Sequence, residues 1–292
     1  MKIMMIGLLL SLSTAAFAQT GPTSSNAKTT DMYAPKMGVS EFTAGLVIPT
    51  GSIENSAAKV EYSGYGLTVH YGYGFSEYAT AYVTQQYSSI DIKQTGAATT
   101  TTKGLANTIV GLKGIVEYAP AFLFYDVNYQ RSIFAKDKSD LTNNENTAAS
   151  ARPSLNLNIG AGTAVNSFGF GALLGYSFYQ EGETETVTNA GSTTAKNKAA
   201  NGSSWKIYAQ YEPSWKLGAA YAMTTTESFD RVNGATTTSQ AKSELKAISV
   251  YGIIPATPES EVFVEITKYE PKDTNGSDYK IYYASATYRL TF

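Results

Sequence analysis

The 292-residue chain has no cysteine, one histidine (His70) and two tryptophans. Without cysteine there is no disulfide framework and no thiolate metal site, so stability outside the cytoplasm has to come from backbone hydrogen bonding and packing. Charge is sparse and balanced, 22 Lys and Arg against 24 Asp and Glu, for a formal net charge of −2. No basic excess is present to hold nucleic acid. After the first eighteen residues no stretch approaches the roughly twenty apolar residues of a membrane helix. That excludes helical insertion but leaves a β-barrel open, since barrel strands are only half apolar. No nucleotide loop, zinc spacing, calcium loop or nucleophile elbow occurs, so no cofactor and no resident metal are implied.

Tyrosine is abundant instead, 22 residues against 12 Phe. It combines strand propensity with an amphipathic ring suited to a membrane–water interface. The chain opens with Lys2, an apolar run through Leu10, and Ala16-Phe17-Ala18. This is the layout of a signal peptide, residues 1–18, cleaved after Ala18. Residues 19–37, rich in Thr, Ser, Pro and Lys, carry no periodicity and are expected to form a flexible periplasmic leader.

From residue 38 onward the period is two. Tyr65, Leu67, Val69, Tyr71 and Tyr73 alternate with Gly64, Gly66, Thr68, His70 and Gly72. Leu123, Tyr125, Val127 and Tyr129 alternate with Phe124, Asp126, Asn128 and Gln130, and Trp215, Leu217, Ala219, Tyr221 and Met223 with Lys216, Gly218 and Ala220. Such alternation predicts strands with one apolar face, and a slip of one residue would put charges into hydrocarbon at about 2–4 kcal/mol each near the midplane. Polar stretches at 50–59, 92–104, 135–152, 181–202, 229–242 and 271–278 recur between the strands. On the other side lie tight turns such as Gly74-Phe75-Ser76-Glu77 and Glu212-Pro213-Ser214. The count is about twelve strands. The weak alternation of 38–49 and 243–253 leaves ten or fourteen open.

The final stretch carries the clearest pattern. Tyr282, Ala284, Ala286, Tyr288, Leu290 and Phe292 form one apolar face, and Ser285, Thr287, Arg289 and Thr291 a polar one. With its terminal aromatic, this segment resembles the closing strand of a bacterial outer-membrane β-barrel of the porin-like kind. The resemblance implies an all-β, antiparallel, up-and-down barrel over 38–292, integral in the outer membrane, with short periplasmic turns and long extracellular loops. It also implies that Phe292, Leu290 and Tyr288 form the signal read by the barrel-assembly machinery. Outer-membrane lipids and lipopolysaccharide are the other expected partners, and a homo-oligomer is open.

Nine charged residues fall on the inward face: Lys113, Glu117, Asp126, Lys206, Glu212, Lys216, Glu261, Glu265 and Arg289. They are expected to line a constriction that sets ion preference, or else to pair across the lumen as a plug. Arg289 stands beside Glu261 and is expected within reach of Glu117 or Glu212. His70 faces the same interior as a polar wall residue. Enzymes of this architecture use a histidine beside a serine or an acid, but the sequence places neither next to His70, so no catalysis is expected. Gly160, Gly162, Gly169, Gly171 and Gly175 either widen the lumen or receive rings from other strands. The expected function is passive diffusion of small hydrophilic solutes or ions. The alternative is a closed structural or surface-binding barrel, adhesin- or receptor-like, acting through its loops.

Overall fold

The computed structural model describes residues 32–292 apart from 56–57, 119, 134–137, 141–144, 148–151, 189–190, 213–214 and 272–277. The expected signal peptide and the leader as far as residue 31 lie outside the described residues. Alternation becomes strand throughout. β1 (Ser40–Asn55), β2 (Ala58–Gly74) and β3 (Thr80–Gln94) form a meander. β4 (Thr100–Leu105) and β5 (Thr108–Tyr118) together make the fourth stave, and β6 (Ala121–Arg131) the fifth. After the short β7 (Lys138–Asp140) and β8 (Glu145–Thr147) come β9 (Ser154–Val165) and β10 (Phe168–Tyr179). A hairpin of β11 (Gly182–Thr188) and β12 (Gly191–Asn197) precedes β13 (Ala200–Tyr211) and β14 (Lys216–Thr226). A second hairpin, β15 (Phe229–Asn233) and β16 (Thr236–Gln240), precedes β17 (Ser243–Thr257), β18 (Ser260–Pro271) and β19 (Asp278–Thr291).

The sheet closes where β19 meets β1, in unbroken antiparallel register from Glu41 opposite Thr291 to Glu54 opposite Asp278. The result is a barrel of twelve staves. Closure removes the edges that would otherwise leave unpaired backbone groups in lipid. The two weakly alternating segments are both staves, and each is longer than expected, because β1 runs on to Asn55 and β17 to Thr257. Thus the polar stretch 50–59 is mostly strand.

The described parts of the stretches 92–104, 135–152, 181–202 and 229–242 also contain strands, and 272–277 lie outside the described residues. The rim hairpins pair with one another, β12 with β15 antiparallel, β11 with β7 and β4 with β8 parallel. They build a collar on the extracellular end. Between β4 and β5 the ladder to β3 is interrupted, and the Gln85 side chain fills the gap. Its amide donates to the Ala106 carbonyl at 2.9 Å and accepts from the Thr108 hydroxyl at 2.6 Å. This bulge reverses which residues of the stave face outward, odd in β4 and even in β5.

The outward face is apolar on every stave. Ile159 and Ile266 are 66% and 63% exposed, with Leu67, Leu112, Leu123, Leu174 and Val250 in the same band. Tyr73, Phe168, Tyr211, Trp215, Tyr288 and Phe292 ring the end with the short turns. The buried face is the lumen. There Tyr82 lies over Gly111, Phe122 over Gly162, Tyr208 over Gly171 and Tyr251 over Gly218, each pair being direct cross-strand partners. A Cβ at any of these glycines would overlap the ring. Of the two uses foreseen for inward glycines, ring reception applies to Gly162 and Gly171. The rings come from the adjacent strand rather than from across the barrel. Gly160 receives the Met32 sulfur, and Gly175 faces Ser204 and Asn158.

Candidate functional site in the barrel lumen

Just before β1, residues 32–35 lie inside the barrel. Gly38, in the left-handed region at φ 79°, turns the backbone, and its amide donates to the Gly74 carbonyl at 2.7 Å. The Thr80 hydroxyl donates to the Pro35 carbonyl at 3.2 Å. Upstream of these tethers Met32 and Tyr33 sit in the lumen, 0% and 3% exposed.

The lumen they enter has two unlike walls. On one side Phe122, Phe124, Leu173, Tyr208, Tyr251, Ile253 and Phe263 form an apolar cluster, and Met32 belongs to it. On the other side the charges gather. The Tyr33 ring has the Arg289 guanidinium 4.1 Å and the Lys113 ammonium 5.3 Å from its centroid. Each such contact contributes on the order of 1–2 kcal/mol when water is excluded. Met32 thus anchors to the apolar wall and Tyr33 to the cationic one.

Both cations are balanced. Lys113 Nζ donates to Glu41 Oε2 at 3.2 Å, and Arg289 is paired with Glu261, its direct cross-strand partner. Glu41 is fully buried and also accepts from the Thr43 hydroxyl at 3.3 Å. Charges excluded from water persist only with such partners. His70 closes the cluster. Its Nδ1 lies 2.8 Å from the Thr84 hydroxyl, and its Nε2 lies 3.4 Å from Lys113 Nζ and 3.7 Å from Glu41 Oε1.

Asp126 heads a second network. It accepts from the Tyr82 hydroxyl at 2.7 Å and from Asn128 and Asn158 at 2.8 Å each, and Asn156 in turn donates to Asn128 at 2.8 Å. Lys216 and Glu212 pair at 4.0 Å, and Glu212 accepts from Gln210. Glu265 is buried and Lys206 half-buried, both facing inward. Glu117 is exposed at the end of β5 and forms no ion pair among the described residues. Arg289 therefore pairs with Glu261 on the neighbouring strand, and no ion pair joins it to Glu117 or Glu212 across the barrel among the described residues.

Glu41, Tyr33 and Met32 were missed in the sequence. Glu41 had a usable signal, since Phe42, Ala44, Leu46 and Ile48 put it on the inward parity of β1. Met32-Tyr33 is the first apolar pair after a long polar run, a weaker cue. For His70 the fold supplies the hydroxyl and acid that the sequence does not, Thr84 and Glu41. Thr84 is buried and faces the lumen, the wrong side for attack on membrane lipid.

The fold is that of a bacterial outer-membrane β-barrel. No family model and no curated protein sequence matches the chain. Among solved structures it is similar to an outer membrane channel from Pseudomonas putida F1, with a TM-score of 0.69 at 11% identity over 91% of this chain and 100% of that one. The NanC porin gives a TM-score of 0.46 at 10% identity, over 84% and 98% of the two chains. A deletion mutant of the TodX monoaromatic hydrocarbon channel gives 0.47 at 8%, over 89% and 91%. At such identities the first likeness speaks for the fold alone, and the other two carry no argument.

Proposed function

We propose that this protein is an outer-membrane channel for small hydrophilic solutes and ions whose periplasmic half is closed by its own leader. The observation that carries this reading is the Tyr33 ring between Arg289 and Lys113, with Met32 beside it in the apolar wall. Withdrawal of these two side chains would leave Lys113, Arg289, Glu41 and Glu261 lining a mixed-charge constriction, the kind of ring that sets ion preference. Lys216, Glu212 and Glu117, nearer the periplasmic mouth, would form its vestibule. Asp126, the cross-strand partner of Lys113, would belong to that constriction, and Lys206 and Glu265 would line the path above it. Insertion from the periplasm would use the closing strand, with Phe292, Leu290 and Tyr288 as the segment engaged by the assembly machinery. Lipids and lipopolysaccharide would contact the apolar band and the collar.

Planar bilayers test the proposal. The intact protein should show rare, small conductance steps, and a variant lacking residues 22–34 should show frequent steps about tenfold larger in mean current, the scale expected when one closed population is removed. Equal conductance from the two proteins would overturn it. A second reading, a closed surface-binding barrel, draws support from the Asp126–Asn128–Asn156–Asn158 network, which ties polar side chains together along one side of the lumen on β6 and β9. It gains if the shortened protein, folded and inserted, stays silent.

A further inference from the structure

We propose that His70 is a proton-sensitive latch on the leader: its protonation frees Lys113 from its place against Tyr33 and opens the periplasmic half of the lumen. The inference rests on the channel reading above, in which Met32 and Tyr33 are the closure.

The contacts assign the resting state of the imidazole. Lys113 has only N–H donors, so its 3.4 Å contact with Nε2 is a hydrogen bond only when Nε2 carries a lone pair. The ring proton then sits on Nδ1 and donates to the Thr84 hydroxyl at 2.8 Å. Neutral His70 thus accepts from Lys113 while Glu41 holds the same ammonium at 3.2 Å.

A second proton changes this arrangement at one atom. It adds to Nε2 and points into the Lys113 ammonium, turning an acceptor into a like charge. Glu41 Oε1, 3.7 Å from Nε2, is then the only carboxylate oxygen within ion-pair range of the new donor among the described residues. The surroundings make the imidazolium possible without leaving Lys113 where it is. Facing His70 are Glu41 and Thr43 from β1, Thr84 and Tyr82 from β3, Lys113 from β5, and Asp126 of β6. Asp126 is hydrogen-bonded to Tyr82, whose ring centroid lies 5.2 Å from that of the imidazole. Arg289 of β19 lies against Tyr33, held by Glu261. Two carboxylates, Glu41 and Asp126, can balance Lys113 and a charged His70 in sum. The direct contact between the two cations still has to break. As Glu41 turns toward the imidazolium, Lys113 loses its contacts with Glu41 and His70, keeps the Tyr82 ring 5.4 Å away and its cross-strand partner Asp126, and moves toward them from the Tyr33 ring. The ring keeps one cation of two, and the leader is released.

The experiment uses the full mature protein in planar bilayers between about pH 8 and about pH 5, a window that spans the ordinary histidine range and keeps most exposed carboxylates ionised. Mean conductance of the wild type should rise about tenfold toward the acid end. His70→Gln, which keeps a hydrogen-bonding amide but cannot titrate, should stay at the low level throughout. His70→Asn serves the same purpose if the glutamine variant fails to insert. The variant lacking residues 22–34 should be open at both ends of the range. A wild type without an acid response, or a glutamine variant that opens at the same midpoint as the wild type, overturns the latch while leaving the closure intact. Failure of the shortened variant to conduct more than the wild type at about pH 8 overturns the closure itself.

Discussion

Glu41 carries no exposed surface, and its carboxylate meets Lys113, His70 and Thr43. Its replacement by glutamine keeps the shape and removes the charge that makes a buried ammonium tolerable. Breaking one side of such a pair costs about 3–5 kcal/mol, more than the net worth of the intact pair, because the other charge stays buried alone. Glu41→Gln should therefore lower the urea midpoint of the refolded protein markedly. Glu41→Gln combined with Lys113→Met should recover most of that loss. Equal midpoints for the wild type and the single variant would show that Lys113 finds another counter-charge. Arg289 offers a contrast: its partner Glu261 is its cross-strand neighbour and could be read from adjacent inward positions. Glu41 and Lys113 come from strands that are not neighbours, and the curvature of the sheet brings them together across β2 and β3.

At the scale of elements, the barrel wall is built from cross-strand pairs in which a ring on one strand covers a glycine on the next. Gly171 and Tyr208 join β10 to β13, and Gly218 and Tyr251 join β14 to β17. The arrangement fills the lumen close to the wall with few charges. Gly171→Ala places a methyl group where the Tyr208 ring lies, so the ring must swing inward. Overpacking of this kind costs about 1–3 kcal/mol. The expected result is a lower urea midpoint for Gly171→Ala that Tyr208→Leu, combined with it, relieves. Alternation in the sequence announced these strands because side-chain direction along a strand depends only on parity. It could not say whether an inward glycine opens space or receives a ring, since that depends on which strand lies next to it and in what register. The reversal of parity between β4 and β5 is a similar case: Gln85, on another strand, completes the bulge.

At the scale of the whole molecule, the transmembrane wall and the extracellular collar are separable. β10 and β13 pair directly from Phe168 opposite Tyr211 to Tyr179 opposite Ala200, so the wall is complete without the β11–β12 hairpin that rises between them. Replacement of residues 182–197 by a short turn should leave a barrel that still shifts on heating in SDS gels, with its conductance behaviour unchanged. Loss of the compact, heat-sensitive band would mean that the collar helps hold the wall. The absence of cysteine fits this division, because the closed hydrogen-bonded sheet needs no covalent tie.

By itself the sequence determined what is local: the period of two, the lipid-facing parity of nearly every stave, the side of the short turns and an all-β barrel of about twelve strands. These follow from neighbours one or two residues apart. Tertiary structure decided what enters the lumen. Residues 32 and 33 reach the interior because the chain reverses at Gly38 below the closed seam of β1 and β19, and there Tyr33 meets Arg289, its distant partner in sequence, and Lys113 from β5. A polar leader with one Met-Tyr pair has no periodicity to reveal this. Its place depends on a cavity that exists only after the last strand has paired with the first.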